Sequence, residues 1–229
     1  MQGDVAAARA LLAEAFADFG AAAPDSFQHA DLLIDRAIVE TEDRRFESAA
    51  SSLAAAAAMT ERLGLGPRSA MAQTIGQFKA EWHLARGEAV AALDQLDAMK
   101  ATDGSNVSPV LSTSLYARTL AAAGHSDAAG RIVDETLKAI EAAPDRDFRA
   151  DLEAHLLQVR GELHRRAGDC AGALPALERA AALLERLHVP ASPRRIEVAR
   201  SLSDCRVQAG SRLTPARVGI KPSALQTPR

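Results

Sequence analysis

The side chains with the widest chemical reach in this 229-residue chain are six histidines and two cysteines. His29, His83, His125, His155, His164 and His188 are scattered, one or two to each stretch of about 40 residues. Metal-binding histidines on a helix stand three or four apart, so that both face the same side. His155 and His164 are nine apart and point in different directions. Cys170 with His164 and Asp169 contains the residue types of a nucleophile, a base and an orienting acid. Cys170, however, opens a helix just after Gly168-Asp169, on the small-residue side used for packing. Gly64-Leu65-Gly66 lacks the third glycine and the preceding strand of a dinucleotide loop, and no P-loop occurs. Asp134-Glu135 and Glu42-Asp43 read as solvated helix surface. The expectation is a chain that is not an enzyme and takes neither a cofactor nor a metal.

Such residues must be positioned by something, and the composition points to helices. Hydrophobic residues make up 48% but aromatics only 3%. The apolar surface therefore comes from Ala, Leu and Val, which suits closely packed helices. Runs of β-branched and aromatic residues are missing. The net charge is −3, with both signs interleaved, which argues against direct nucleic-acid binding. No apolar run approaches the length of a spanning helix. The start MQGDVAAARA has an acid and no basic segment, so it is not read as a secretory leader. Two cysteines make no disulfide framework. A cytoplasmic location is expected, with no membrane partner.

The strongest pattern is a recurrence of about 42 residues. Ala-rich helical stretches meet at short turns: Gly3-Asp4, Arg44-Arg45, Gly87-Glu88, Gly124-His125, Gly168-Asp169 and Gly210-Ser211. A fixed period in this range marks stacked repeats. In the clearest unit Leu156, Val159, Leu163 and Ala167 follow helical spacing. Gly168 ends that helix, Asp169 caps the next, and Ala173, Leu177 and Ala180 form the second apolar face. Gly161 leaves room for a neighbouring helix. The chain divides into a half unit over 3–19, pairs over about 25–63, 68–101, 109–142 and 147–188, and a half unit over 193–210. Residues 211–229, with three prolines and no acid, read as a basic disordered tail.

These residues resemble the tetratricopeptide repeat. That family has a small residue seven before the turn, then Ala, a large apolar residue and Ala at five, nine and twelve after it. Here those places hold Gly161, Ala173, Leu177 and Ala180. Around Gly87 they hold Ala80, Ala92, Leu96 and Met99. Around Gly124 they hold Ala117, Ala129, Val133 and Thr136, and around Arg44 they hold Ala37, Ala49, Leu53 and Ala56. Ala8, Leu12 and Ala15 follow the first turn, and Ser203 precedes the last. The units are longer than the family's usual 34 residues, similar to long repeats in arms of bacterial kinases and transcription regulators. The resemblance implies an all-α solenoid of antiparallel helix pairs wound as a right-handed superhelix.

In such a stack the first helix of each pair lines the concave groove. Spacing from the turns puts Ile34, Ile38, Thr74, Gln77, Glu81, Ser114, Arg118, His155, Gln158, Glu162, Arg165 and Arg200 there, with Glu197 and Asp204 beside Arg200. Glu162–Arg166 and Glu197–Arg200 are expected intrahelical pairs. Trp82 and Phe78, four apart, are expected in the core. The carboxylate-clamp pattern of Lys and Asn four apart is absent from these positions. The function expected is a scaffold binding a protein or peptide in the groove. The alternative is a sensor or regulatory arm of a larger bacterial kinase or transcription regulator. The first helix, with its stripe of Val5, Ala8, Leu12, Ala15 and Phe19, has no polar cap. Three readings are open for it: folding onto the next unit, cover from an upstream segment, or self-association.

Overall fold

A computed structural model describes residues 5–23, 25–101, 109–143 and 149–212, and among these every regular element is helical. The order is α1 (Val5–Ala22), α2 (Phe27–Glu42), α3 (Phe46–Arg62), α4 (Ala70–Ala85), α5 (Ala89–Ala101), α6 (Pro109–Ala122), α7 (Ser126–Ala142), α8 (Ala150–Arg166), α9 (Cys170–Leu187) and α10 (Pro193–Arg212). Helices adjacent in sequence pack on each other from α1 to α10. The all-α expectation holds, and the packing is that of a solenoid of helix pairs. The tail beyond Arg212 and the Gly3-Asp4 turn lie outside the described residues.

One local device makes every pair. Arg44, Gly87, Gly124 and Gly168 adopt positive φ. The next N–H then bonds back to a carbonyl in the last turn of the helix: Arg45 to Glu40 at 2.8 Å, Glu88 to His83 at 2.9 Å, His125 to Leu120 at 2.8 Å and Asp169 to His164 at 2.9 Å. This closure satisfies carbonyls that the ended helix leaves open. Glycine suits that conformation because it has no Cβ; Arg44 occupies it at φ 57°. Two turns carry a further staple, in which a histidine of the ending helix meets the acid after the glycine. His83 Nδ1 lies 2.8 Å from Glu88 Oε2, and His164 Nδ1 lies 2.9 Å from Asp169 Oδ2. Asp169 also caps α9 by accepting from the Gly172 N–H at 2.9 Å. Gly210 makes no such turn; α10 continues through it to Arg212.

The core is a chain of small clusters. Ala30, Leu33, Ile34, Ala37, Leu53, Ala56, Met59 and Ile75 join α2, α3 and α4, with Phe78 and Trp82 packed against them. Trp82 Nε1 donates to the Phe46 carbonyl at 2.9 Å. Ala154, Leu157, Ala176, Ala180, Leu184 and Val198 do the same for α8, α9 and α10. Helix α8 approaches α9 so closely that a Cβ on Gly161 would stand 2.6 Å from Leu177 Cδ2. The first helices of successive pairs also touch, α2 with α4, α4 with α6, α6 with α8 and α8 with α10. That row is the face on which the polar candidates are arrayed.

Candidate functional site

The row of first helices opens into a cavity of about 590 Å³ between α6, α8 and α10, lined also by Leu84, Gly87 and Ala89. Its apolar lining is Leu84, Ala121, Ala122 and Val159, and its polar lining is Arg118, Gln158, Glu162, Arg165, Arg166, Glu197, Arg200, Ser201 and Asp204. Volume and mixed lining are of the kind that binds ligands. The helical period explains the convergence. Gln158, Glu162 and Arg165 share one side of α8, and Glu197, Arg200 and Asp204 share one side of α10.

The charges divide into a committed set and an uncommitted one. Arg165 donates to Glu162 twice, at 2.7 and 2.9 Å, and Arg166 Nε donates to Glu162 Oε1 at 2.9 Å. Arg166 also donates to the Ala121 carbonyl at 2.7 Å, tying α8 to the end of α6. Burial works against the Glu162 anion, yet these arginines hold its pKa below the ordinary value. Among the described residues Arg118 has only a long 3.5 Å contact, to Glu81. The expected Glu197–Arg200 pair is not formed. Gln158, Glu197 and Arg200 have no hydrogen-bond or ion-pair partner among the described residues, so their polar groups face the cavity unpaired.

A denser cluster lies nearer the start of α8. The Asp151 carboxylate accepts from His188 Nε2 at 3.0 Å and stands 3.7 Å from Arg194 Nη1. His155, one turn further along α8, has a side chain only 7% exposed, and its Nε2 lies 4.0 Å from Asp151 Oδ2. That nitrogen has no hydrogen-bond partner. Burial first, then the charge of Arg194, push the His155 pKa down to about 3, so the ring is neutral. Burial weakens the Arg194 guanidinium's hold on its proton, opposed by the charges of Asp151, Glu81 and Glu42. Glu42 in turn is pushed up by burial and by Glu81, and drawn down by Arg194. Side chains of α2, α4, α6, α8 and α10 therefore share one electrostatic neighbourhood. Among the described residues no group of His, Cys, Asp and Glu has the arrangement of a metal site.

The twelve sequence-derived groove residues separate by burial. Arg118, Gln158, Glu162, Arg165 and Arg200 line the large cavity. Ile38 and Glu81 line a cleft of about 50 Å³ with Phe78 and Glu42. Thr74 is half-buried on α4. Ile34, 4% exposed, is a correction to the groove set: it belongs to the α2–α3–α4 core, because an apolar side chain on the inner side of α2 is drawn between the helices. Gln77, Ser114 and His155 are buried as well. Arg166, Ser201, Arg194 and Asp151 were not picked out by spacing. Arg166 was visible only as the partner of Glu162. Arg194 follows a proline-containing loop whose length carries no period.

No protein-family model matches this chain, and no curated protein matches it. Among the described residues no helix is long and apolar enough to cross a membrane.

Proposed function

We propose that the chain is a non-catalytic interaction module of tetratricopeptide-like type that seats a peptide or short helix of a partner protein between α6, α8 and α10. The observation that carries this reading is the cavity of about 590 Å³, into which residues of three successive first helices project. The apolar part of the lining suits an aliphatic side chain of the partner. Gln158, Glu197 and Arg200, without a hydrogen-bond or ion-pair partner among the described residues, offer both donors and acceptors to a polypeptide, whose main chain alternates the two. A cytoplasmic setting belongs to the same reading.

A random-peptide phage library selected on the intact protein tests it. Enriched peptides are expected to bind the wild type and to lose at least about tenfold in affinity on Gln158→Trp, which fills the cavity. They are expected to bind Glu185→Trp, on the exposed side of α9, as they bind the wild type. Failure to enrich any peptide, or peptides indifferent to Gln158→Trp, overturns the assignment.

A further inference from the structure

Helices α1 and α10 each show a face that is covered wherever the same positions recur inside the stack. The places seven, eleven and fourteen before a turn hold Ala37, Leu33 and Ala30 on α2 and Gly161, Leu157 and Ala154 on α8, and all are buried. Their cover is the second helix of the pair. A Cβ on Gly161 would meet Leu177 of α9, as one on Gly76 of α4 would meet Met99 of α5. Counted from Gly210, the same places on α10 hold Ser203, Ala199 and Ile196, and each is exposed. Ile196 is exposed by 49%. Helix α1 is open on the opposite partner's face. The places five, nine and twelve after a turn are at most 2% exposed as Ala49, Leu53 and Ala56 of α3 and as Ala173, Leu177 and Ala180 of α9. Counted from Gly3, they hold Ala8, Leu12 and Ala15, which are only half-buried. Leu11, where α3 and α9 have the buried Ser52 and Ala176, is 60% exposed.

The two open faces match each other in shape and in charge. In the α8–α9 pair Leu177 covers Gly161, and Ala176 clusters with Ala154 and Leu157. The same register sets Leu12 over Ser203, and Leu11 beside Ile196 and Ala199. Arg179 Nε of α9 donates to Glu153 Oε1 of α8 at 2.6 Å. Those two places hold Glu14 on α1 and Arg195 on α10, an opposite pair with its signs exchanged. Arg195 gives one N–H to the His188 carbonyl at 2.9 Å, and its guanidinium has others. Within one copy α1 packs on α2 whereas α10 packs on α8 and α9, so the faces belong to the two ends of the row. We propose that α10 of one copy and α1 of a second copy form a helix pair in the register of α8 and α9, joining the chain to itself head to tail. Such a contact uses two different patches, so it closes into a ring or extends from copy to copy. The cavity takes Glu197, Arg200 and Asp204 from another side of α10, so the association does not rest on peptide binding there.

Sedimentation velocity of the full chain tests the junction. The wild type is expected to exceed the mass of one chain as its concentration rises toward about 1 mM. Leu11→Arg blocks the α1 face and Ser203→Arg the α10 face, both at exposed positions. Each variant alone is expected to sediment as one chain. Mixed in equal amounts they are expected to give a two-chain species that grows no further, because one intact face of each kind remains. Arg195→Glu sets like charges opposite each other and is expected to weaken association about fivefold or more. Adding Glu14→Arg to it is expected to restore wild-type association. A wild type that stays a single chain, its faces covered by its own chain or left to another partner, overturns the proposal. So does association that persists in Ser203→Arg alone, which would join α1 to α1, or a mixture of the two blocked variants that stays monomeric.

Discussion

His155 carries a pH dependence that its burial dictates. Its folded pKa, about 3, lies below the ordinary value of 6.5. The unfolded chain therefore takes up a proton between about pH 6.5 and 3 that the folded chain refuses. Stability from this residue is complete above that window and declines as pH falls through it, at up to about 1.4 kcal/mol per pH unit below pH 6. The groups facing it are Asp151 on α8, Arg118 on α6, His188 at the end of α9 and Arg194 on α10. Asp151, also held below its ordinary pKa, adds a loss in the same direction below about pH 4. Urea unfolding at a series of pH values is expected to show the decline in the wild type and a shallower one between pH 6.5 and 4.5 in His155→Leu. Equal slopes would mean that His155 is solvated in the folded chain.

Two glycines inside helices make opposite predictions. Gly161 faces Leu177 so closely that a Cβ would clash with its Cγ and Cδ2 at 2.6 Å. Gly161→Ala is expected to destabilise by about 1–3 kcal/mol through overpacking. Combined with Leu177→Ala, it is expected to cost clearly less than the sum of the two single changes. A Cβ on Gly130 in α7 would meet nothing within 4 Å, so Gly130→Ala is expected to stabilise by about 0.5–1 kcal/mol. Chemical denaturation of the four variants measures all of these, and additivity at Gly161 and Leu177 would refute the close approach. The sequence separates the two glycines because Gly161 stands at the small-residue place seven before Gly168. It is silent on Gly76, whose added Cβ would lie 2.7 Å from Met99 Sδ, since that position has no counterpart around the other turns. The same logic divides the site. The all-α pairing was legible because each turn has a local cause, a positive-φ residue followed by a polar one. Arg118, Gln158, Glu162, Arg165 and Arg200 were legible because the helical period carries them to one side. Burial of Ile34 and recruitment of Arg194 were not, because they follow from how neighbouring helices and a loop close over one another.

A plain stack of repeats couples only neighbours: each unit touches the next, and changes at one end fade before reaching the other. The charges on the row of first helices depart from that rule. Arg194 opens α10, yet its guanidinium acts on Glu42 at the end of α2, on Glu81 of α4 and on Asp151 of α8. Glu42 is already pushed above its ordinary value by burial and by Glu81, with Arg194 pulling it down. Replacing Arg194 by Leu removes that pull and leaves a partly desolvated carboxylate beside a second one. The Glu42 titration, followed by NMR, is then expected to move to higher pH in Arg194→Leu. His188→Phe is expected to leave it in place, since the His188 ring is engaged by Asp151 at 3.0 Å. The shift should shrink as salt is added, to the extent that solvent reaches the pair. A Glu42 midpoint indifferent to Arg194 would mean that the two ends of the row are electrostatically independent, with only the α6–α8–α10 cavity left as a shared structure.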